Sequence, residues 1–170
     1  MIYCILAAVI LAVCIIKIRF DEIVYKKNLK QRLIMQWGQA LSEEYSAEKM
    51  ASIRAYYESS IQKTDVDDIT WNDLEMDTVF QQINHTQSSI GQEYLYFLLR
   101  KPQFDAQSLK EREDLIRYFG EQEEVRLSTQ LLLAELGKLG KFSVYEYLMN
   151  VQNLTEKSSV FSILQLILMI

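Results

Sequence analysis

Helix-breaking residues are scarce along this chain. Its 170 residues include one proline, Pro102, and five glycines, so few positions oppose a helix. One set of apolar residues recurs at every fourth position: Tyr25, Leu29, Leu33, Trp37 and Leu41. This is the spacing of a single helix face, and no strand-like alternation extends beyond a few residues. The sequence therefore predicts an all-α fold, a helical bundle.

Residues 1–16 contain no charged side chain, and Lys17 and Arg19 follow them directly. A helix that spans a bilayer needs about 20 mostly apolar residues, and flanking basic side chains can reach back to the interface. A cleaved signal peptide would instead carry its basic residues before the apolar run and small residues after it. The sequence therefore predicts a transmembrane helix over residues 1–20 that stays attached as an anchor.

Six basic residues follow the apolar run: Lys17, Arg19, Lys26, Lys27, Lys30 and Arg32. Positive residues close to a membrane segment favour the cytoplasmic side. We therefore expect a single-pass protein of the cell membrane with its bulk in the cytoplasm, and membrane lipid as a partner. Residues 21–64 are predicted to form juxtamembrane helices, either packed on neighbouring helices or lying near anionic lipid.

Short polar side chains mark the expected starts of the later helices: Ser46, Asp73, Ser88 or Thr86, Asp105 and Ser143. Each can accept a hydrogen bond from a backbone N–H of the first turn. The helix after Ser88 is expected to bury an apolar stripe made of Ile90, Tyr94, Leu95, Leu98 and Leu99. Gly91 lies on the same face, where a neighbouring backbone can approach closely.

Residues 68–112 carry an ordered pattern of polar residues, leucines, one glycine and one proline. The positions that form it are Asp68, Thr70, Asp73, Leu74, Thr86, Gly91, Leu95, Leu98, Pro102, Asp105, Leu109 and Arg112. Their order and spacing resemble the opening of the core (lever) domain of the MutS DNA mismatch-repair ATPase family. The resemblance assigns residues 65–158 to the N-terminal part of a MutS-like helical core. In that family the core connects to a DNA clamp and to a C-terminal ATPase.

The resemblance implies that the full-length parent binds ATP and Mg²⁺, contacts mismatched DNA, and pairs with an ATPase domain or with a second copy of itself. This chain does not contain the corresponding motifs. The string closest to a phosphate-binding loop is residues 137–142. The position of the first required glycine, two residues before this string, is Glu135, and Phe142 stands in place of the metal-binding hydroxyl. Residues 20–22 match the family's Phe-x-Glu motif for reading mismatches, but they stand beside the apolar segment.

No catalytic, cofactor-binding or metal-binding residue is predicted in the chain itself, and no enzymatic activity is expected of it. His85 is the only histidine. Calcium loops beginning at Asp65 or Asp67 would have Thr70 or Asn72 where a glycine is required. The net charge of −5 and the pI near 5.0 oppose a broad nucleic-acid footprint. Nucleic acid is therefore a partner only through the family resemblance.

Residues 159–170 are almost wholly apolar. They are too few to span a bilayer, so we expect them either to pack as a terminal helix or to begin a second transmembrane segment of a longer chain. Together these features predict the non-catalytic N-terminal part of a membrane-anchored MutS-like protein, acting as a helical core or transmission element. The alternative is a complete single-pass membrane protein whose cytoplasmic helical domain binds a partner.

Overall fold

The computed structural model describes residues 2–41 and 43–153. All regular structure within these residues is helical, which confirms the predicted all-α fold. The helices, in chain order, are α1 (Ile2–Gln36), α2 (Ala47–Glu58), α3 (Asp68–Asp73), α4 (Met76–Ile83), α5 (Ser89–Arg100), α6 (Ala106–Glu121), α7 (Glu123–Glu135) and α8 (Val144–Gln152). The predicted apolar tail at residues 159–170 lies outside the described residues.

Helix α1 is 35 residues long, which corresponds to roughly 52 Å. It runs without a break past residue 20, where the predicted anchor meets the predicted juxtamembrane region. Gly38 follows its end at a φ of 71°, a conformation that glycine adopts at little steric cost. Within the part of the chain that the structure describes, no helix combines the length and the apolar character needed to cross a membrane.

Local capping confirms four of the predicted helix starts. In each case a side-chain oxygen accepts a hydrogen bond from a first-turn N–H, as the residue type favours. These caps are Ser46, Ser88, Asp105 and Ser143. Capping depends on residues three positions apart, so the sequence alone was sufficient to locate it.

The sequence also predicts Asp73 as a helix cap, and this prediction is wrong. Asp73 is the last residue of α3, whose cap is Asp67: its carboxylate accepts a 2.8 Å hydrogen bond from the Thr70 N–H. Helix α4 begins after Glu75, which has a φ of 51° and makes no side-chain capping bond. The left-handed Glu75 interrupts the helical path there, so α4 starts from a turn rather than from a capping side chain.

The larger hydrophobic cluster lies among α2, α3, α4 and α5. Its buried members are Met50, Ile53, Tyr57, Trp71, Phe80 and Tyr96. Tyr96 lies among the other rings, with centroid separations of 4.8 Å to Trp71 and 5.6 Å to Phe80. Such ring pairs stabilise a fold by about 0.5–1.5 kcal/mol each beyond the area they bury. The aromatic residues of α3, α4 and α5 therefore supply much of the core.

A smaller cluster joins α1 to α7. Leu29 and Leu33 are buried against Leu127, with two further residues of α7 packed around them. The four-residue spacing in the sequence predicted this stripe, and its two central leucines confirm the prediction. The outer members differ, because Tyr25 and Trp37 are 59% and 50% exposed.

The buried face of α5 is not the predicted apolar stripe. Ile90 and Tyr94 are 52% and 51% exposed, while the buried residues are Ser89, Gln92, Glu93, Tyr96 and Arg100. Leu95 and Leu99 are only partly buried, at the edge of the core. Polar side chains occupy the interior because residues distant in sequence bond to them, and apolar periodicity cannot reveal such partners.

Candidate functional site

The loop that superficially resembles a phosphate-binding motif connects α7 to α8. Gly137 and Gly140 adopt positive φ values of 69° and 54°. The Gly137 carbonyl accepts a hydrogen bond of 3.1 Å from the Ser89 N–H, and the Ser89 hydroxyl accepts one of 2.7 Å from the Leu139 N–H. The loop is therefore fastened to the start of α5. These contacts give it a structural role in the fold.

The aspartates near residue 68 each contact a separate partner. Asp65 forms an ion pair of 3.2 Å with Lys101, and Asp67 caps α3. Asp77 accepts a 2.8 Å hydrogen bond from the indole N–H of Trp71 and pairs with Arg54. Across residues 2–41 and 43–153, no group of three His, Cys, Asp or Glu side chains is arranged to hold a metal ion.

Arg100 is the buried cation of the core, with a side chain that is only 5% exposed. Its Nε and Nη2 donate hydrogen bonds of 3.2 and 3.0 Å to the Tyr96 hydroxyl, and Nη1 donates one of 2.9 Å to the Val66 carbonyl. The guanidinium carbon lies 4.2 Å from the Trp71 ring centroid, within the range of a cation–π interaction. Asp68 supplies the counter-charge at 2.9 Å.

The electrostatics of this cluster follow from its burial. Burial opposes the charge on Arg100, but the Tyr96 hydrogen bond and the neighbouring Asp68 outweigh that effect and leave the pKa of Arg100 raised. Burial also raises the pKa of the Tyr96 hydroxyl, against the lowering effect of Arg100. Tyr96 therefore stays neutral and Arg100 stays charged at physiological pH, which keeps the hydrogen bonds between them intact.

A cleft of about 750 Å³ opens beside this cluster. Both charge signs line it: Arg54, Glu58, Lys63, Asp65, Asp67, Asp68 and Arg100. Arg100 and Asp65 already have partners within the fold. The mixed lining suits a polar ligand but selects no single charge, so the cleft by itself defines no chemistry.

Glu93 attaches α8 to α5. This carboxylate is 5% exposed and accepts three hydrogen bonds at the start of α8: 2.7 Å from the Val144 N–H, 3.3 Å from the Tyr145 N–H and 3.2 Å from the Ser143 hydroxyl. A negative charge at a helix N-terminus is favourable because the exposed N–H groups carry partial positive charge. Helix α8 contributes no buried residue of its own, so Glu93 is its principal polar attachment.

The junction between α1, α6 and α7 depends on a second arginine. Arg126 of α7 donates a 2.9 Å hydrogen bond to the Phe119 carbonyl near the end of α6, and its guanidinium carbon lies 3.6 Å from the Trp37 ring centroid. Farther along α1, Lys26 donates a 2.9 Å hydrogen bond to Glu135. With the leucine cluster, these contacts hold α7 along one side of α1.

His85 joins two loops. Its Nε2 lies 2.8 Å from the Gln39 carbonyl, and the neighbouring Leu41 N–H donates a 2.9 Å hydrogen bond to the Gln82 carbonyl. The segment after α1 is therefore tied to the end of α4. No sequence signal pointed to this contact, because the two loops are far apart along the chain.

No protein-family model, curated protein or solved structure matches this chain.

The contacts described above form a connected series across the domain. Helix α1 packs on α7, the loop after α7 bonds to α5, and α5 holds both the aromatic core and the start of α8. Each junction contains a specific polar bond, and the junction between α1 and α7 adds apolar packing. These contacts link α1 to α8 through α7 and α5.

Proposed function

We propose that this chain is a membrane-attached, non-catalytic helical domain that connects a membrane to the remainder of a longer protein. In this role the domain passes movements of its membrane-attached helix on to that remainder. The observation that carries the proposal is the continuity of α1. A single helix contains both the uncharged N-terminal residues and the leucines that pack on α7. Any movement of its N-terminal half relative to the membrane would therefore be passed directly to the domain.

The apolar part of α1 supports attachment to a membrane. Val9, Leu11, Val13 and Ile16 are each more than half exposed, and apolar surface of this extent favours transfer out of water. The basic residues that follow favour a cytoplasmic position for the domain. We propose attachment at the cell membrane, either as the single-pass span that the sequence predicts or as a helix lying in the interface.

The proposed parent is a MutS-like protein, and this part of the proposal rests on the sequence resemblance. The geometry gives a physical reason for one pair of matched positions: a Cβ atom at Gly91 would lie 3.0 Å from the Cβ of Thr86. Glycine is therefore favoured five residues after this threonine. In such a parent, ATP, Mg²⁺ and DNA would bind to other domains, and this chain would connect them to the membrane.

Attachment is tested by fractionating cells that express the full chain. We expect it in the membrane fraction, because the exposed apolar part of α1 favours transfer out of water. A chain recovered in the soluble fraction would refute the proposal. For the cytoplasmic position, a reporter fused after Gln31 that is active only outside the cytoplasm would refute the orientation.

The alternative is a partner-binding domain, and exposed apolar residues on α6 and α8 favour it. Leu115 and Ile116 are exposed on α6, as are Tyr147 and Leu148 on α8. Reading the coding sequence beyond Ile170 separates the two proposals. An in-frame continuation to a phosphate-binding loop supports the MutS-like parent, whereas a stop codon directly after Ile170 supports the separate partner-binding protein.

A further inference from the structure

The side of α1 that faces away from the domain has no partner among the described residues. At about 100° per residue, Phe20 lies almost opposite Leu29, and Val24 and Gln31 share that side. Five exposed apolar residues occur there: Phe20, Ile23, Val24, Ile34 and Met35. This outer face thus continues the apolar N-terminal part of the helix almost to its end at Gln36.

Basic residues accompany this outer face. Lys17 and Lys27 lie on it, and Lys30 lies on its flank. None of the three forms an ion pair within the described residues, whereas Lys26, on the side of the domain, is bonded to Glu22 and Glu135. Asp21 is the acidic residue nearest the outer face, and it does not balance the three lysines.

The charge of the rest of the chain is opposite. Residues 17–32 contain six basic and two acidic side chains, a net charge of +4, so the remainder carries −9 because the whole chain carries −5. An acidic domain is repelled by an anionic membrane surface, while α1 is attracted to it. The charges therefore orient the outer face of α1 towards anionic lipid.

We propose that α1 lies along an anionic membrane surface, with Phe20, Ile23 and Ile34 inserted among the lipids and Lys17, Lys27 and Lys30 on the headgroups. The domain then rests on the opposite side of the helix. This inference builds on the proposed membrane attachment and specifies its geometry and its lipid. A perpendicular span ending near Ile16 would instead leave Ile34 in water, roughly 27 Å from Ile16.

The lipid preference is tested with the purified full chain and vesicles of phosphatidylcholine, with or without phosphatidylserine. Each lysine near an anionic surface contributes about a fivefold increase in partitioning. We expect Lys27→Gln/Lys30→Gln to weaken binding to phosphatidylserine vesicles about 30-fold. The matched control is Lys63→Gln/Lys110→Gln, which removes the same charge from exposed lysines elsewhere and should leave binding unchanged. Equal effects of the two pairs would overturn the proposed surface.

The geometry is tested with an environment-sensitive fluorophore on single cysteines, after Cys4→Ala and Cys14→Ala. Ile23→Cys and Tyr25→Cys differ by about 200° around the helix at almost the same height, as do Ile34→Cys and Arg32→Cys. We expect blue-shifted emission with vesicles at positions 23 and 34 and unshifted emission at 25 and 32. Binding without this alternation would overturn the in-plane helix and leave membrane attachment standing. A chain that does not bind vesicles would overturn both proposals.

Discussion

Replacing Arg100 should be among the most destabilising single changes in the described domain. Arg100→Ala removes the two hydrogen bonds to the Tyr96 hydroxyl and leaves the Val66 carbonyl without its 2.9 Å donor. It also removes the guanidinium that lies 4.2 Å from the Trp71 ring centroid. An unsatisfied buried hydrogen-bonding group costs about 1–3 kcal/mol, and a desolvated cation–π contact contributes about 2 kcal/mol, so we expect the free energy of unfolding to fall by about 3–5 kcal/mol.

Two further variants separate the contributions to this loss. Arg100→Lys keeps the charge but cannot donate to Tyr96, Val66 and Asp68 together, so it should still cost about 2 kcal/mol. Asp68→Asn removes the counter-charge, but the Asp68 side chain is 85% exposed, and solvent screening should limit its cost to about 1 kcal/mol or less. The loss of stability should therefore be largest for Arg100→Ala, smaller for Arg100→Lys and smallest for Asp68→Asn. This order would show that buried hydrogen bonds, rather than simple charge pairing, stabilise the cluster.

Urea unfolding followed by far-ultraviolet circular dichroism measures these differences. The control is Arg117→Ala, an exposed arginine paired with Glu113 on α6, which should change stability by less than about 0.5 kcal/mol. An Arg100→Ala variant that unfolds within about 1 kcal/mol of the natural protein would refute the assignment of Arg100 as the polar centre of the core.

Three other substitutions test separate local contacts. Glu93→Ala should release the start of α8, and faster amide exchange confined to α8 would show it; unchanged exchange would contradict the attachment. Gly91→Ala should destabilise the domain by about 1–2 kcal/mol because the new Cβ would lie 3.0 Å from the Cβ of Thr86. The control is Gly120→Ala, which has open space around it and should stabilise α6 slightly. Equal shifts in melting temperature for the two variants would refute this contrast. Hydrogen bonds from Ser108 lower the pKa of Asp105, so its stabilisation is present above the unfolded pKa and is lost as the pH falls through the lower folded value. Asp105→Asn should therefore flatten the dependence of melting temperature on pH in acid, and an unchanged acid limb would contradict the cap.

The fold class and four of the helix starts could be predicted because they depend on local chemistry. Scarce helix breakers indicate helices, and a serine or aspartate cap acts on an N–H group within the next three residues. The Leu29 and Leu33 stripe was likewise visible, since both contacts with α7 come from one face of one helix. The failed cap at Asp73 shows where local reasoning stops: a left-handed residue, Glu75, changed the path of the chain.

The buried polar clusters around Arg100 and Glu93 could not be predicted from local chemistry. Apolar periodicity placed Ile90 and Tyr94 in the interior of α5, yet the buried side chains include Glu93 and Arg100.

The sequence by itself determined the helical class, four of the helix caps, and the contrast between a basic, apolar-rich first helix and an acidic remainder. Only the tertiary structure decided which face of α5 is buried and which face of α1 is left open. The physical reason is that a buried charge needs partners, and those of Glu93 come from residues about fifty positions away. The exposed face of α1 is likewise defined by the face that is buried, and α1 buries Leu29 and Leu33 against α7.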